Sequence, residues 1–468
     1  MARNGGGMCV IDVDFIATKK SRADSTGRFN IMPNYRRLIL DAGSEREVKA
    51  EFTASNSEFL KDISQDLLDV ATAIFYADQA VTKSAFSHRR RLGTVIPVRK
   101  LSLWKPLEDD HSRICTFLDE NVFNVYFCDQ SSVKPSHTIA EEPLYGDIVC
   151  LFSGGLDSLA GAINALEKGR SPILVGTSHS APMTGVQQRL FDALKSDYQD
   201  ARLTRFKVFV SRSRQTSDPH RYRRRTTGVQ SCRSFLYISA AAVMANEIGI
   251  DHVVVPENAI LALNIPLSPG RVNTRTVHPL FIEMYRKLAG RVLAKPIEID
   301  NPFWYQTKSE VVTSIRRHPE YITLTASCWQ LSYARTVSKR FGRAANHCGY
   351  CHPCIMRRIA LISAGLGSYD VDYAIDLFHD LGGNFTNDQM SFIRELKINL
   401  AHLLRFVNRF LTSSEDDRNL LVSYSGLPQW YDTEKSIATH IRFCNEVLDV
   451  FKKHGNTQLQ DMVEASGL

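Results

Sequence analysis

Two serines and two glycines, in Ser153-Gly154-Gly155-Leu156-Asp157-Ser158, have the types and spacing that could bind an anion. The apolar run of residues 148–152 before them is typical of a buried parallel strand, and an apolar pattern with helical spacing follows them. The N–H groups at a helix start attract anions, glycine lets the main chain come close, and serine hydroxyls add hydrogen bonds. The pattern therefore predicts an anion site on a strand–turn–helix unit.

Four cysteines form a second group that could do chemistry. Cys348, Cys351 and Cys354 follow Cys-x2-Cys-x2-Cys spacing, and Cys328 lies upstream of them. Four thiolates can close a tetrahedral zinc site, and such a closed site leaves no position for a catalytic water. The spacing therefore predicts structural zinc, and an iron–sulfur cluster stays open as the alternative because the same ligands can hold one.

The elements that must position these residues alternate between strand and helix. Further strands are predicted at residues 173–176, 206–210, 253–255 and 297–299, with helical patterns between them. This alternation predicts an α/β fold with a doubly wound parallel sheet. Ligands of such sheets bind at the carboxyl ends of the strands, where Thr177 and Ser178 follow the second strand. Thr307 and Glu310 predict a capping box for a helix that starts near Lys308.

The rest of the chain predicts two further units. Residues 1–140 are expected to form an accessory α+β domain, with strands at 8–17, 37–40, 47–52, 94–103 and 122–127 and a helix that opens at 56–58. A stretch with linker composition at 131–145 separates them from residues 141–368, which hold the α/β domain and the cysteines. Residues 369–468 are expected to form a helical extension with Asn387 as an N-cap.

The composition is that of an ordinary globular protein, with 468 residues, 44% hydrophobic and 23% charged. The net charge of +7 permits an anionic ligand without requiring nucleic acid. The chain has no membrane-spanning run and no signal-peptide pattern, and its cysteines scatter singly outside residues 328–354, so we expect a cytoplasmic protein. An arginine-rich stretch at residues 211–225 fits a loop that binds phosphates or an acidic partner, and equally a solvated loop. Nucleic-acid binding is less favoured, because base-stacking aromatics are scarce there.

The Ser-Gly-Gly-x-Asp-Ser stretch resembles the PP-loop of the N-type ATP pyrophosphatases, and the chain has no ordinary P-loop motif. Together with the four cysteines, it makes residues 145–365 similar to the 7-cyano-7-deazaguanine synthase (QueC) family. The start of a helix at Arg233, the turn at Asn258, and Asn301-Pro302 followed by residues 307–310 add to this resemblance.

This resemblance implies a PP-loop fold of the HUP type and cleavage of ATP between its α- and β-phosphates. A carboxylate, which in the family is 7-carboxy-7-deazaguanine, would be adenylated and then attacked by ammonia. The implied cofactors are ATP, Mg²⁺ and Zn²⁺. The implied catalytic residues are Asp157, Ser158 and Lys308. The implied nucleotide ligands are Ser153, Gly154, Gly155, Leu156, Asp157, Ser158, Thr177, Ser178 and Arg233, and the implied zinc ligands are Cys328, Cys348, Cys351 and Cys354.

The chain also departs from the family pattern. The gap between Cys328 and Cys348 is longer than usual, and about 140 residues precede and about 100 follow the similar region. In this length the chain resembles the long QueC-like proteins of bacterial anti-phage systems, most closely the QueC-like component of the Qat system. That resemblance implies a protein partner from a defence operon, whose amine could replace ammonia. A non-catalytic ATP-binding subunit and a PP-loop tRNA-modifying enzyme stay open as alternatives.

Overall fold

The computed structural model describes residues 12–18, 36–41, 48–51, 57–59, 61–80, 91–129, 138–140, 146–178, 181–210, 230–267 and 274–468. The arginine-rich stretch at 211–225 lies outside them. The strands are β1 (Asp12–Thr18), β2 (Arg36–Asp41), β3 (Val48–Glu51), β4 (Ser57–Phe59), β5 (Arg91–Val98), β6 (Val122–Asp129), β7 (Thr138–Ala140), β8 (Ile148–Leu151), β9 (Pro172–Ser178), β10 (Thr204–Val210), β11 (His252–Val254) and β12 (Glu298–Asp300).

The helices of the described residues begin with α1 (Asp62–Ala80), α2 (Leu101–Trp104), α3 (Glu108–Asp119), α4 (Leu156–Glu167), α5 (Ala181–Asp197), α6 (Arg233–Ile248), α7 (Ala259–Leu263) and α8 (Pro279–Leu293). They continue with α9 (Lys308–Thr313), α10 (Leu331–Arg340), α11 (His352–Ser363), α12 (Asn387–Thr412), α13 (Glu415–Ser423), α14 (Thr433–His454) and α15 (Thr457–Glu464). Short 3-10 turns lie at Lys105–Leu107, Pro319–Leu324 and Gly367–Tyr369. In the part of the chain that the structure covers, none of these helices is long and apolar enough to cross a membrane.

The larger sheet has the strand order β12-β11-β8-β9-β10-β3. Its first five strands are parallel, and β3 pairs antiparallel with β10 at the edge. The α/β class and the parallel sheet predicted from the sequence are confirmed. From β8 the chain first builds one side of the sheet through β9 and β10, and later the other side through β11 and β12. The order thus reverses between β8 and β11, where an open α/β sheet leaves a crevice for ligands.

Residues of β8 pack in two different apolar cores, because successive side chains of a strand point in opposite directions. Ile148 and Cys150 of β8 pack in one apolar core with residues of α4, α5 and α9. Val149, between them, packs in another core with residues of α1, α6 and α8. Both faces of the strand that leads into the Ser-Gly-Gly turn are therefore packed in apolar cores.

The N-terminal region forms a second parallel sheet with the order β2-β1-β5-β6. It shares an apolar core with the middle of the chain, where residues of α1, α3 and β6 meet residues of α6 and α8. The helix predicted from residue 56 begins at Asp62 instead, because Ser57–Phe59 pair with Thr138–Ala140. The strand predicted to reach residue 103 ends at Val98, and the sequence reasoning missed α3.

The C-terminal helices pack around the cysteines. Residues of α11, α12, α14 and α15 form one apolar core with the four predicted zinc ligands. The N-cap of α12 is Thr386, so the prediction of Asn387 was wrong by one residue. The Thr386 hydroxyl accepts from the Gln389 N–H, and the Gln389 side chain accepts from the Thr386 N–H in return. This reciprocal capping box fixes the start of the helix. The boundaries of the three predicted units stay predictions.

A helix glycine lets α4 approach the turn that follows β11. A Cβ atom on Gly161 would lie 2.2 Å from Cγ of Pro256. Real Cβ atoms do not come this close to another carbon, so only glycine fits here. Pro256 precedes Glu257 and Asn258, which face the crevice, so this close packing helps to set the position of the turn.

We predict that Gly161→Ala destabilises the protein by about 1–3 kcal/mol, because the added methyl group must displace the Pro256 turn. Gly185→Ala is the matched control, since Gly185 also lies in a helix but its Cβ would meet only the Arg189 guanidinium, at 3.4 Å. That control should be neutral or stabilising by up to about 1 kcal/mol. Urea unfolding measures both free energies. Equal stability of the two variants would contradict the close contact.

Candidate functional site

The two serine hydroxyls stabilise the Ser-Gly-Gly turn through hydrogen bonds within it. The Ser158 hydroxyl accepts from the Gly154 N–H at 3.2 Å and donates to the Gly155 carbonyl at 3.0 Å. The Ser153 hydroxyl donates to Ser158 at 3.3 Å and accepts from the Gly155 N–H at 3.4 Å. Gly154 has a φ of +89°, which lies in the left-handed region that favours glycine. The serines therefore shape the turn as well as offering hydroxyls to a ligand.

The turn is also held by its neighbours. Gln187 of α5 donates to the Ser153 carbonyl at 3.2 Å, and the Ala326 N–H donates to the Gly154 carbonyl at 3.0 Å. Gly155 is the N-cap of α4, and no side-chain hydrogen bond caps this helix. The first N–H groups of α4 can therefore bind an anion, as at other helix N-termini. Leu156 is buried at 1% exposure, so only its backbone can contribute to the predicted binding role.

A buried ion pair lies at the base of the crevice. Lys308 at the start of α9 pairs with Oδ2 of Asp157 in the first turn of α4, and the two residues are 6% and 8% exposed. Asn258 bridges two carboxylates, because its Nδ2 donates to Asp157 at 3.3 Å and to Oε1 of Glu257 at 3.2 Å. The other oxygen of Asp157, Oδ1, is buried and has no hydrogen-bond partner among the described residues.

Glu257 is the second acid of this site. Burial raises its pKa well above the usual range, and the nearby Asp157 carboxylate adds to the shift. The cations of Lys308 and Arg233 oppose it. Asn301 fixes the turn, because its Oδ1 accepts from the Glu257 N–H at 3.1 Å and its Nδ2 donates to the Glu257 carbonyl at 2.7 Å. Two acidic and two basic side chains therefore interact electrostatically where the strand order reverses.

Arg233 reaches the crevice from the start of α6. Its guanidinium lies 5.7 Å from the centre of the Tyr237 ring. Its Nε is buried, and no hydrogen-bond partner for it exists in the part of the chain that the structure describes. A buried N–H donor without a partner usually serves a ligand or an ion, because leaving it unpaired is unfavourable. Arg233 is therefore suited to bind an anionic group.

Asp157 and Glu257 could together hold a divalent cation. Mg²⁺ prefers oxygen ligands, and in nucleotide sites one or two carboxylates and the substrate phosphates hold it. The unpartnered Oδ1 of Asp157 and the neighbouring acid fit this requirement. The donor set of this crevice is thus compatible with a magnesium–nucleotide complex.

The four cysteines come together in the C-terminal core, and all four are buried. Their Sγ atoms all lie within 4.8 Å of one another, and those of Cys348 and Cys354 are 3.9 Å apart. The N–H of Cys348 also donates to Sγ of Cys328 at 3.5 Å. Hydrogen bonds from the other three thiols hold the pKa of Cys328 far below its usual range. The set of four buried thiols fits a tetrahedral zinc ion, as predicted.

The backbone of residues 374 and 375 packs closely against the cysteine cluster. Gly349 has a φ of +81°, and a Cβ on it would lie 1.9 Å from the Ile375 carbonyl oxygen. The Ala374 N–H donates to the His347 carbonyl at 2.8 Å, and the Ile375 N–H donates to the Cys348 carbonyl at 3.2 Å. The loop that carries three of the thiols is therefore pinned by a neighbouring segment.

A fully buried arginine connects this cluster to the Ser-Gly-Gly turn. Arg357 of α11, three residues after Cys354, donates to the Ile322 carbonyl at 2.8 Å and to the Thr325 hydroxyl at 2.6 Å. Asp370 balances its charge at 2.8 Å. Residue 325 precedes Ala326, whose N–H holds the Gly154 carbonyl. The cysteine loop is thus linked to the candidate anion site through a few hydrogen bonds.

The structure brings most of the predicted site residues together. Ser153, Asp157, Ser158, Lys308 and Arg233 lie around one crevice, and the cysteines form a separate cluster. Thr177 and Ser178 end β9 at the same edge of the sheet, but their side chains lie outside the described set.

Sequence reasoning missed two residues that support the crevice, Glu257 and Gln187, which belong to no motif. It named Asn301 only as part of the family resemblance and gave it no role. For Glu257 and Asn301, the usable signal is their position just after the ends of β11 and β12.

Comparison with known proteins agrees with this geometry. Residues 147–365 match the family model of the queuosine biosynthesis protein QueC. The chain is also similar to a 7-cyano-7-deazaguanine synthase from Methanothrix thermoacetophila, with 25% identity over 236 residues that cover 47% of this chain and 96% of that enzyme. The middle of the chain is therefore QueC-like, as its residues predicted. The regions before residue 147 and after residue 365 lie outside the family match.

We predict that the purified protein carries about one zinc per chain and that Cys351→Ser removes it, because three thiolates no longer close the site. Cys444→Ala is the matched control, since Cys444 is buried in the same core but outside the cluster, and this variant should keep its zinc. Elemental analysis of metal content checks both. Iron with acid-labile sulfide in place of zinc would contradict the assignment.

We predict that Lys308→Met destabilises the ligand-free protein by about 3–5 kcal/mol, because it leaves buried acids without their cation. Adding Asp157→Asn should recover part of this loss. The ion pair of the exposed Lys287 with the half-buried Glu283 gives a control, and Lys287→Met should change stability by no more than about 1 kcal/mol. Urea unfolding of the single and double variants measures the coupling. Additive effects within about 0.5 kcal/mol would show that the pair is not coupled.

Proposed function

We propose that this protein uses ATP to activate a carboxylate, with release of AMP and pyrophosphate. The observation that carries the proposal is the crevice at the carboxyl ends of β8, β11 and β12. There the braced Ser-Gly-Gly turn and the open N-terminus of α4 meet the buried pair of Lys308 and Asp157. The QueC match of residues 147–365 supports the same chemistry.

In the proposed reaction, a carboxylate oxygen attacks the α-phosphorus of ATP. The bond from that phosphorus to the bridging oxygen breaks, and pyrophosphate leaves with the electron pair. An amine then attacks the acyl carbon of the adenylate, AMP leaves, and the amine loses a proton. A carboxylate alone is a poor electrophile, whereas AMP is a good leaving group, so the first step makes the second feasible.

The residues of the crevice have distinct proposed roles. The N–H groups of the turn and of the first turn of α4 bind the charge that develops on pyrophosphate. Arg233 and Lys308 add positive charge, and Thr177 and Ser178 contact the nucleotide from the end of β9. Asp157 and Glu257 would hold Mg²⁺, which neutralises phosphate charge when it is bound. Ser158 acts through the shape of the turn, because its hydroxyl is engaged there.

We propose a 7-deazaguanine carboxylate, of the 7-carboxy-7-deazaguanine type, as the substrate and ammonia as the simplest acceptor. The similarity to a 7-cyano-7-deazaguanine synthase supports this choice. Conversion of a 7-carboxyl group into a 7-cyano group adds one nitrogen to its carbon, and ammonia can supply that nitrogen.

We further propose that the protein works in bacterial anti-phage defence, where an amine of a partner protein could take the place of ammonia. The residues outside the family match at 147–365 favour a protein acceptor, because a protein needs a docking surface and ammonia does not. In cells that contain both proteins, the partner should gain the mass of the acyl group. An unchanged partner mass would contradict the transfer to protein.

We predict that the protein with Mg²⁺ and ATP forms AMP and pyrophosphate when 7-carboxy-7-deazaguanine is present and not when it is left out. Asp157→Asn and Lys308→Met should each lower the rate by about 100-fold or more, because both groups act on the phosphates. Lys287→Met, at an exposed site, should keep the rate. Chromatography of the nucleotides measures all four proteins.

Two outcomes of the same experiment would contradict the proposal. ADP as the product would mean that the Ser-Gly-Gly turn does not direct cleavage between the α- and β-phosphates. No AMP under any condition, together with tight ATP binding, would favour a non-catalytic ATP-binding subunit.

A further inference from the structure

A glutamate from the C-terminal region holds the turn that presents Lys308. Oε1 of Glu446, in α14, accepts from the Thr307 hydroxyl at 2.7 Å and from the Ser309 hydroxyl at 2.5 Å. These two hydroxyls flank Lys308 in the sequence. Glu446 lies 81 residues beyond the end of the QueC match at residue 365, so the support comes from outside the family region.

The same face of α14 binds the residues on either side of that turn. Arg442 donates to both oxygens of Glu310, at 2.7 and 3.2 Å, and to the Tyr305 carbonyl at 3.0 Å. Thr439 also donates to the Tyr305 carbonyl, at 3.0 Å. Residues 439, 442 and 446 lie on one side of a helix, since their spacing is three and four. α14 thus contacts residues 305–310 along two helical turns.

These contacts are specific for the local conformation of the turn. Glu310 is the acid of the capping box, whose carboxylate accepts from the Thr307 N–H at 2.8 Å. The Thr307 hydroxyl accepts from the Glu310 N–H at 3.3 Å, so its own proton is free to be donated to Glu446. Arg442 and Glu446 therefore hold the acid and the hydroxyl of one capping box. A shift of α14 would disturb both, and with them the first residue of α9, which is Lys308.

We infer that Glu446 is a positioning residue for the reaction at this crevice. By fixing the hydroxyls on both sides of Lys308, it sets where the Lys308 ammonium lies relative to Asp157 and the Ser-Gly-Gly turn. The inference rests on the proposed function for its catalytic part. It assigns the C-terminal helices a share in the active site that is separate from any role in partner binding.

Two measurements on the full-length protein test this inference. The first is the rate of AMP formation with saturating ATP and 7-carboxy-7-deazaguanine. The second is the rate at which an amine-reactive reagent labels Lys308, followed by mass spectrometry, with the exposed Lys287 as an internal standard. The labelling rate needs no catalysis, so it reports on the position of Lys308 even if the proposed function fails.

Glu446→Ala should lower kcat by at least about tenfold with little change in the KM for ATP, because small misplacement of a reacting group has a large effect on rate. Lys308 should be labelled several-fold faster relative to Lys287. Glu446→Gln keeps one acceptor oxygen and should be intermediate in both. Asp449→Ala, an exposed acid one turn further along α14, should match the parent protein.

The outcomes separate the two proposals. Parent protein that forms no AMP contradicts the proposed function, and the labelling rate then decides the positioning role alone. Labelling of Lys308 that stays within about twofold of the parent rate in both Glu446→Ala and Glu446→Gln would overturn the inference, whatever happens to kcat. If the alanine variant does not fold, the glutamine variant gives the same comparison.

Discussion

The buried ion pair between Lys308 and Asp157 is the central interaction of the crevice. Its partners belong to elements that follow β12 and β8, with β11 between those strands. Two charges buried in this way are stable only with good geometry and further hydrogen bonds, because water no longer solvates them. Asn258 and the turn after β11 supply these bonds. The crevice formed by the reversal of strand order is thus also the place where charge is concentrated.

Several distant parts of the chain serve to hold this pair. Gly161 lets α4 pack against Pro256, and Asn301 ties the turn after β11 to the turn after β12. Arg357 connects the cysteine loop to the segment that holds the Ser-Gly-Gly turn. Glu446 connects α14 to the turn that presents Lys308. A metal bound by the cysteines would therefore stabilise the crevice without entering it.

Features set by a few neighbouring residues could be predicted from the sequence. The capping box of Thr307 and Glu310 and the grouping of Cys348, Cys351 and Cys354 both follow from local spacing. The parallel sheet followed from the alternation of apolar strands and helices. These patterns are readable because each one satisfies local hydrogen bonding or the burial of one face.

Pairings between distant segments could not be predicted in the same way. β3 joins the edge of the larger sheet, and β4 pairs with β7, about 80 residues away. Glu257 meets Asn301, and Glu446 meets Thr307, only in the folded chain, and no spacing in the sequence marks such contacts. The proposed carboxylate activation is tested by labelling the carboxylate of 7-carboxy-7-deazaguanine with ¹⁸O and following the label into AMP. One labelled oxygen in the AMP phosphate is the predicted result, because the carboxylate oxygen attacks the α-phosphorus and stays with it when the amine displaces AMP. Unlabelled AMP would contradict the proposed reaction, because the carboxylate oxygen would then not have attacked the α-phosphorus.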